Sequence, residues 1–156
     1  MPLAGQRLKA LDFTPAVSAT STVVQSNLST TLTVGSPEVG VVFTAPTSGK
    51  ANVTVGASFA DDTGANNAGI LDWKLFLGTN GSGTLVLGTG AFDRRLVAMP
   101  GDVTNQSQEL SRTVLVQGLT PGSSYYVQLL HASWAGATID CYARSVAVVL
   151  NFSLFR

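Results

Sequence analysis

The sequence predicts an all-β fold, a sandwich or barrel carrying a short N-terminal arm. Three observations support this. Short runs rich in Val, Thr, Ile, Phe and Tyr recur along the chain, separated by Gly, Pro, Asn and Ser clusters at intervals of about 8–12 residues, the spacing of sandwiches and barrels. One run, residues 50–60, alternates with a period of two: Ala51, Val53, Val55, Ala57 and Phe59 against Asn52, Thr54, Gly56 and Ser58. That period places one set of side chains in a core and the other outside. Beyond the first twenty residues no segment shows a convincing helical period.

In chain order, residues 1–19 form the arm and residues 20–156 the sandwich. Leu3, Leu8 and Leu11 fall on one side of a short helix that Gly5 and Pro15 limit. Arg7 sits beside them, and Phe13 closes the segment. Two readings stand: an arm that packs on a neighbour or on the base of the domain, with Leu3, Arg7, Leu8, Leu11 and Phe13 as its contacts, or an ordinary disordered terminus. Short β-prone runs follow at 20–24 and 30–34, then strands at 39–45 and 50–60. Residues 61–69 are a loop. Strands are expected at 70–77, 84–87 and 95–99, with turns at 79–83 and 100–102. Residues 107–116 and 124–132 are the central pair, and 138–150 with 151–155 close the chain as one long strand or two.

The central pair organises the rest. Leu119-Thr120-Pro121-Gly122-Ser123 lies between its strands. Pro fixes one φ and Gly permits the next, which suits a turn. The connection is longer than a two-residue hairpin, so a crossing from one sheet to the other is expected here. At such a crossing a tyrosine hydroxyl can bond back to upstream backbone, the tyrosine corner of Greek-key sandwiches. Tyr125 is the candidate; the alternative is an aromatic that only lines the core edge.

Composition narrows the function. Hydrophobic residues make up 45% of the 156-residue chain and charged residues only 12%, about half the usual charged share. The surface must therefore be largely Ser, Thr, Asn, Gln and Gly, which suits an extracellular or virion protein, or one that hides area in an assembly. Net charge is zero, and no basic patch is interleaved with aromatics, so nucleic acid is not an expected partner. The N-terminus lacks the apolar core and cleavage site of a secretion signal. No run approaches the roughly 18 apolar residues of a spanning helix, so membrane insertion is not expected. A surface of extracellular character without an export signal points towards a virus particle.

Catalytic chemistry finds little support. His131 is the single histidine and Cys141 the single cysteine, so neither a triad nor a cysteine metal pair can be assembled from spacing. Both read as buried structural residues. The weak metal candidates are Asp61, Asp62, Asn66 and Asn67, where oxygen donors suited to calcium are dense but match no EF-hand spacing. Polar turn residues explain the same string. Asp93-Arg94-Arg95 reads as a solvated cluster or as a pairing across a subunit contact, with an anion site as the rival reading. Trp73 reads as core. Trp134, in a turn, and Tyr142 are the candidate ligand contacts, as aromatic platforms for a sugar ring. No cofactor is expected, and the chain reads as a non-enzyme.

Three stretches carry a family resemblance. AGQRLKALDF, residues 4–13, resembles the start of small tail-associated and virion proteins of phages that infect actinobacteria. VVFTAPTSGKANVTVGASF, residues 41–59, and GLTPGSSYYVQLLHAS, residues 118–133, resemble jelly-roll modules of phage tail fibres, head fibres and decoration proteins. Those modules are similar to the trimeric C1q/TNF-like sandwich, and the matching stretches cover about a third of the chain. The resemblance implies a homotrimer located in the virion, with other phage virion proteins of tail or capsid receiving the arm. It implies an antiparallel jelly-roll-type β-sandwich with no catalytic residue and fixes no station on the particle; a minor tail or fibre role is expected ahead of capsid decoration or a head fibre. A carbohydrate-binding module touching a host surface glycan through Trp134 and Tyr142 is the rival of another class.

Overall fold

The computed structural model describes residues 16–61, 63, 67–91, 93–100, 106–136 and 138–151. Nine strands run through them: β1 (Val17–Ser21), β2 (Gly40–Thr44), β3 (Lys50–Asp61), β4 (Gly69–Leu77), β5 (Thr84–Leu87), β6 (Leu96–Ala98), β7 (Gln106–Val116), β8 (Ser124–Ser133) and β9 (Ile139–Asn151). They form two antiparallel sheets. One has the order β1-β9-β3-β7, the other β2-β8-β4-β5, with β6 also pairing β4.

This order defines the fold. β1 pairs β9, β2 pairs β8, β3 pairs β7, and β4 pairs β5 and β6. The first strand meets the last and each later pair nests inside the one before, as if a long hairpin were rolled around a barrel. That is the jelly-roll connectivity, two Greek keys in two sheets.

The core lies between the sheets and follows from strand alternation. Val53, Val55 and Phe59 of β3, Val146 and Val148 of β9, Leu71, Trp73 and Leu75 of β4, and Val127 and Leu129 of β8 meet there, all buried. The alternation expected over residues 50–60 is present, and the strand runs one residue further, to Asp61. Residues 151–155, the expected closing strand, lie outside the described residues apart from Asn151, which ends β9.

The sheet edges depart from expectation. β1 begins at Val17 and pairs Val17, Ser18 and Ala19 with Val148, Ala147 and Val146. Those three residues, assigned to the arm by pattern, belong to the sandwich. The contacts proposed for the arm, Leu3, Arg7, Leu8, Leu11 and Phe13, lie outside the described residues. Residues 30–34, expected as a strand, meet the sheet only through an isolated bridge from Thr33 to His131. They belong to a strap, residues 22–39, between β1 and β2. The strap first follows β9, where Gln25 and Cys141 exchange backbone hydrogen bonds, then turns and follows β8.

The crossing expected between the central strands is real: β7 and β8 lie in different sheets. Tyr125 is buried, and its hydroxyl accepts the backbone N–H of Thr120 at 2.9 Å. The candidate tyrosine corner is therefore formed.

Candidate functional site

The outer faces of the two sheets differ. On the β1-β9-β3-β7 sheet, alternation turns Asn52, Thr54, Gly56 and Ser58 outward beside Glu109, Ser111 and Thr113 of β7 and Ser145 of β9. Thr54 and Thr113 join across this face, hydroxyl to hydroxyl, at 2.8 Å, and Leu115 and Val149, which flank Asn52, are exposed apolar side chains on it.

The other sheet has apolar clusters on both faces, with Asp72, Lys74 and Gln128 among the polar residues of the outer one. Ile70 and Phe76 of β4 and Tyr126, Leu130 and Ala132 of β8 alternate away from the central core, yet all are buried. Exposed apolar side chains share that outer face: Val42 on β2, Leu85 on β5 and Val97 on β6. At one end Met99 and Trp134, 58% and 60% exposed, join Val97 and Ala68 around a depression of about 360 Å³. The signal for this second layer is legible in hindsight. Ile70-Leu71 and Leu75-Phe76 in β4, and Tyr125-Tyr126-Val127 with Leu129-Leu130 in β8, are apolar at consecutive positions, the mark of strands buried on both sides.

The two sequence candidates near that end meet in space. Trp134 N–H donates to Ala68 O at 2.8 Å, and Ala135 N–H donates to Asn67 Oδ1 at 3.0 Å. The Asn67 amide also donates to Ala135 O and to Thr138 Oγ1. Asn67 thus pins the loop after β3 to the turn that presents Trp134. Asp61 is fully buried. Its Oδ1 accepts from Thr63 N–H and Thr63 Oγ1, and its Oδ2 from Asn67 N–H. These oxygens stabilise the loop; among the described residues no cluster of three His, Cys, Asp or Glu side chains is placed to hold a metal ion. Asp62 and Asn66 lie outside the described residues. Tyr142 stands apart from Trp134. It is the extra residue of a β-bulge, Ser58 facing Ala143 and Phe59 facing Cys141, so it projects from the opposite sheet.

Of Asp93-Arg94-Arg95, Asp93 is exposed while both arginines turn onto the fold. Arg95 pairs with the buried Asp72 at 3.3 Å, and Asp72 also accepts the Gly90 N–H at 2.8 Å. Arg94 lies 5.5 Å from the centre of the Trp73 ring and donates to Gly88 O, while Trp73 Nε1–H donates to Arg94 O. The two arginines fix the 88–95 connection against β4. Sequence could not show this, because Asp72 and Trp73 are some twenty positions upstream.

A further internal cation is Arg144, only 1% exposed. β9 turns it inward, where its Nη1 meets His131 Nδ1 at 3.3 Å and its Nη2 donates to Pro37 O at 3.2 Å. Burial lowers the Arg144 pKa. It also pushes His131 down to about 4, with the Arg144 charge acting in the same direction. The single histidine therefore faces a guanidinium inside the sandwich, where no substrate reaches it. Sequence reasoning did not find Arg144. An arginine among Val, Ala and Ile in a strand is the signal that would have.

No family model matches the chain, and no curated protein matches it. Among solved structures it is similar to the infectious bursal disease virus Gx strain, at 12% identity over 92% of this chain with a TM-score of 0.43. It is similar to the infectious bursal disease virus VP2 subviral particle, at 16% over 88% with a TM-score of 0.48. It is also similar to the C-terminal CBM6 of LamC from Zobellia galactanivorans, at 10% over 86% of this chain and 99% of that one, with a TM-score of 0.35. The chain spans about a third of the two viral proteins, 35% and 32% of their lengths. The jelly-roll assignment rests on the strand pairing itself.

Proposed function

We propose that this chain is a structural protein of a virus particle that packs against copies of itself. More narrowly, it is a minor tail or fibre component of a tailed phage, assembled as a homotrimer and attached through its N-terminal residues. The observation that carries this reading is the apolar part of the outer face of the β2-β8-β4-β5 sheet, with Val42, Leu85, Val97, Met99 and Trp134 exposed on it. Apolar patches of this kind mark contact surfaces, and the low charge of the chain fits a subunit that hides much of its surface.

Light scattering with chemical cross-linking tests it. A mass three times that of the chain supports the reading, and a monomer at micromolar concentration overturns it. Removing residues 1–15, which leaves β1 intact, should abolish incorporation into particles without unfolding the sandwich. Location of the chain on the head in a particle reconstruction would favour the decoration or head-fibre role over the tail.

A second reading, contact with a host surface glycan, is favoured by Trp134, whose ring is exposed beside Val97 and Met99. Binding on a glycan array that Trp134→Ala removes would support it; a blank array would not.

A further inference from the structure

The strap at residues 22–39 has a specific relation to the buried cation pair. It contributes Gly35, whose missing Cβ would stand 1.8 Å from Arg144 Nη1 and 2.6 Å from His131 Cε1. Only a bare backbone fits over the pair. It also contributes Pro37 O, which Arg144 Nη2 reaches, and Thr33, which exchanges backbone hydrogen bonds with His131 at 2.9 and 3.0 Å. Elsewhere the strap is joined to β9 by the paired Gln25–Cys141 bonds and by Leu28 to Ile139, and to β8 by Ser133 to Ser29 and Leu129 to Val39, with Leu28 and Val39 buried in the core. Between those two anchors residues 29–38 are largely exposed, and a segment with few buried apolar contacts opens at lower cost than the core strands.

The pair itself works in one protonation state. A buried guanidinium is always a donor, so His131 Nδ1 must accept and the ring must be neutral. Arg144 Nε has no hydrogen-bond partner, so nothing on that side compensates a second charge. From β9 the group facing the imidazole is Arg144, with the Cys141 thiol acting on that guanidinium; the Asp140 carboxylate accepts Asn27 N–H of the strap at 2.7 Å. Residues 22–37 contain no ionisable side chain, and Glu38 is engaged with Tyr126 and Gln128. On β4 the residue in register with His131 is Leu71, and Asp72 turns to the other face.

We propose that the 22–39 strap is an acid-sensitive latch, closed while the His131 imidazole accepts from Arg144 and released when that imidazole gains a proton. A proton on Nδ1 removes the acceptor and sets two cations side by side beneath Gly35. The strap is the element that can lift to admit water, because β8 at His131 is bound along β4 and β9 at Arg144 lies between β1 and β3. The sign follows from the pKa, ordinarily 6.5 and here about 4. The latch is fully closed above pH 6.5, weakens as pH falls through that window, and loses nothing further below about pH 4.

Hydrogen exchange on the full chain, corrected for intrinsic rates, tests this between pH 7 and 4. The amides of Leu28, Thr33, His131 and Ser133 should lose protection by up to about tenfold per pH unit, while Val53 and Val148 keep theirs. His131→Asn, which offers an acceptor that does not titrate, should erase the step. Flat protection in the strap overturns the latch, and so does loss in step with β3 and β9. If His131→Asn keeps the step, another group is responsible and the proposal fails. Should that variant not fold, the wild-type imidazole resonance decides, since the chain has one histidine: it must titrate where the strap opens. An ordinary midpoint with a protected strap ends the proposal.

Discussion

The hydroxyl of Tyr125 accepts the backbone N–H of Thr120 at 2.9 Å, closing the connection that carries the chain from β7 to β8 and so from one sheet to the other. The same connection is tied to the turn after β2, Gly122 N–H to Ala45 O at 2.9 Å and Leu119 N–H to Gly49 O at 3.1 Å. The Tyr125 ring stacks on Phe43, centroids 5.8 Å apart. Tyr125→Phe keeps the ring and removes only the acceptor. Because Thr120 is at the surface and water can replace the hydroxyl, the expected loss is about 0.5–1 kcal/mol. A urea titration should show a lower midpoint at unchanged slope; an unchanged midpoint would mean that the corner adds nothing.

The Asp72–Arg95 pair makes an asymmetric prediction. Asp72 is fully buried, whereas the Arg95 side chain keeps 14% of its surface. Arg95→Met leaves the buried carboxylate without its cation and should cost about 3 kcal/mol or more. Asp72→Asn leaves a neutral acceptor for Gly90 N–H and a guanidinium with a path to water, so it should cost less. Equal losses in denaturant titrations would show that the pair does not act through burial of the carboxylate.

Much of the fold was legible because burial on one face writes a period of two into the sequence. Residues 50–60 carry that pattern, and the structure places their apolar set in the core. The all-β class followed from many such runs, the jelly roll from a family resemblance, and Tyr125 from a local turn motif. The relations that cross between sheets were hidden. His131 and Arg144 sit thirteen positions apart, on strands of different sheets, and nothing local says that they face each other. Arg94 and Arg95 look solvated in a charged triplet, because a pattern cannot show a loop folding back on Asp72 and Trp73. The loop at Asp61–Asn67 and the turn at Trp134 looked like two separate candidates; the Asn67 amide makes them one corner of the molecule.

Two glycines should fail for different reasons. In β2, a Cβ on Gly40 would lie 2.5 Å from the Val127 carbonyl oxygen and 2.3 Å from the Tyr126 hydroxyl. The backbone cannot move without breaking the β2–β8 ladder, so Gly40→Ala should cost about 1–3 kcal/mol through overpacking. Gly122 meets nothing within 4 Å but has φ of +78°, so Gly122→Ala should cost about 1 kcal/mol from conformation alone. Thermal melts of both, with Gly122→Asn as a partial rescue, separate clash from strain. Gly40→Ala melting like the wild type would mean that the strand edge shifts freely.

The Cys141 thiol should behave as part of the core. It is fully buried, and burial is the main reason that its pKa is pushed up to about 11 from 9.0, against a smaller opposing pull from Arg144. The folded chain therefore holds the proton where the unfolded chain releases it. Stability from this group is present below pH 9 and declines as pH rises towards 11. At pH 8 the thiol is both protonated and out of reach, and the nucleophile in alkylation is the thiolate. Iodoacetamide should therefore label Cys141 promptly in denaturant and only at the unfolding rate in native buffer. Native labelling as fast as that of the denatured chain would require the β9 bulge beside Tyr142 to open without the rest of the sandwich, and would remove Cys141 from the rigid core.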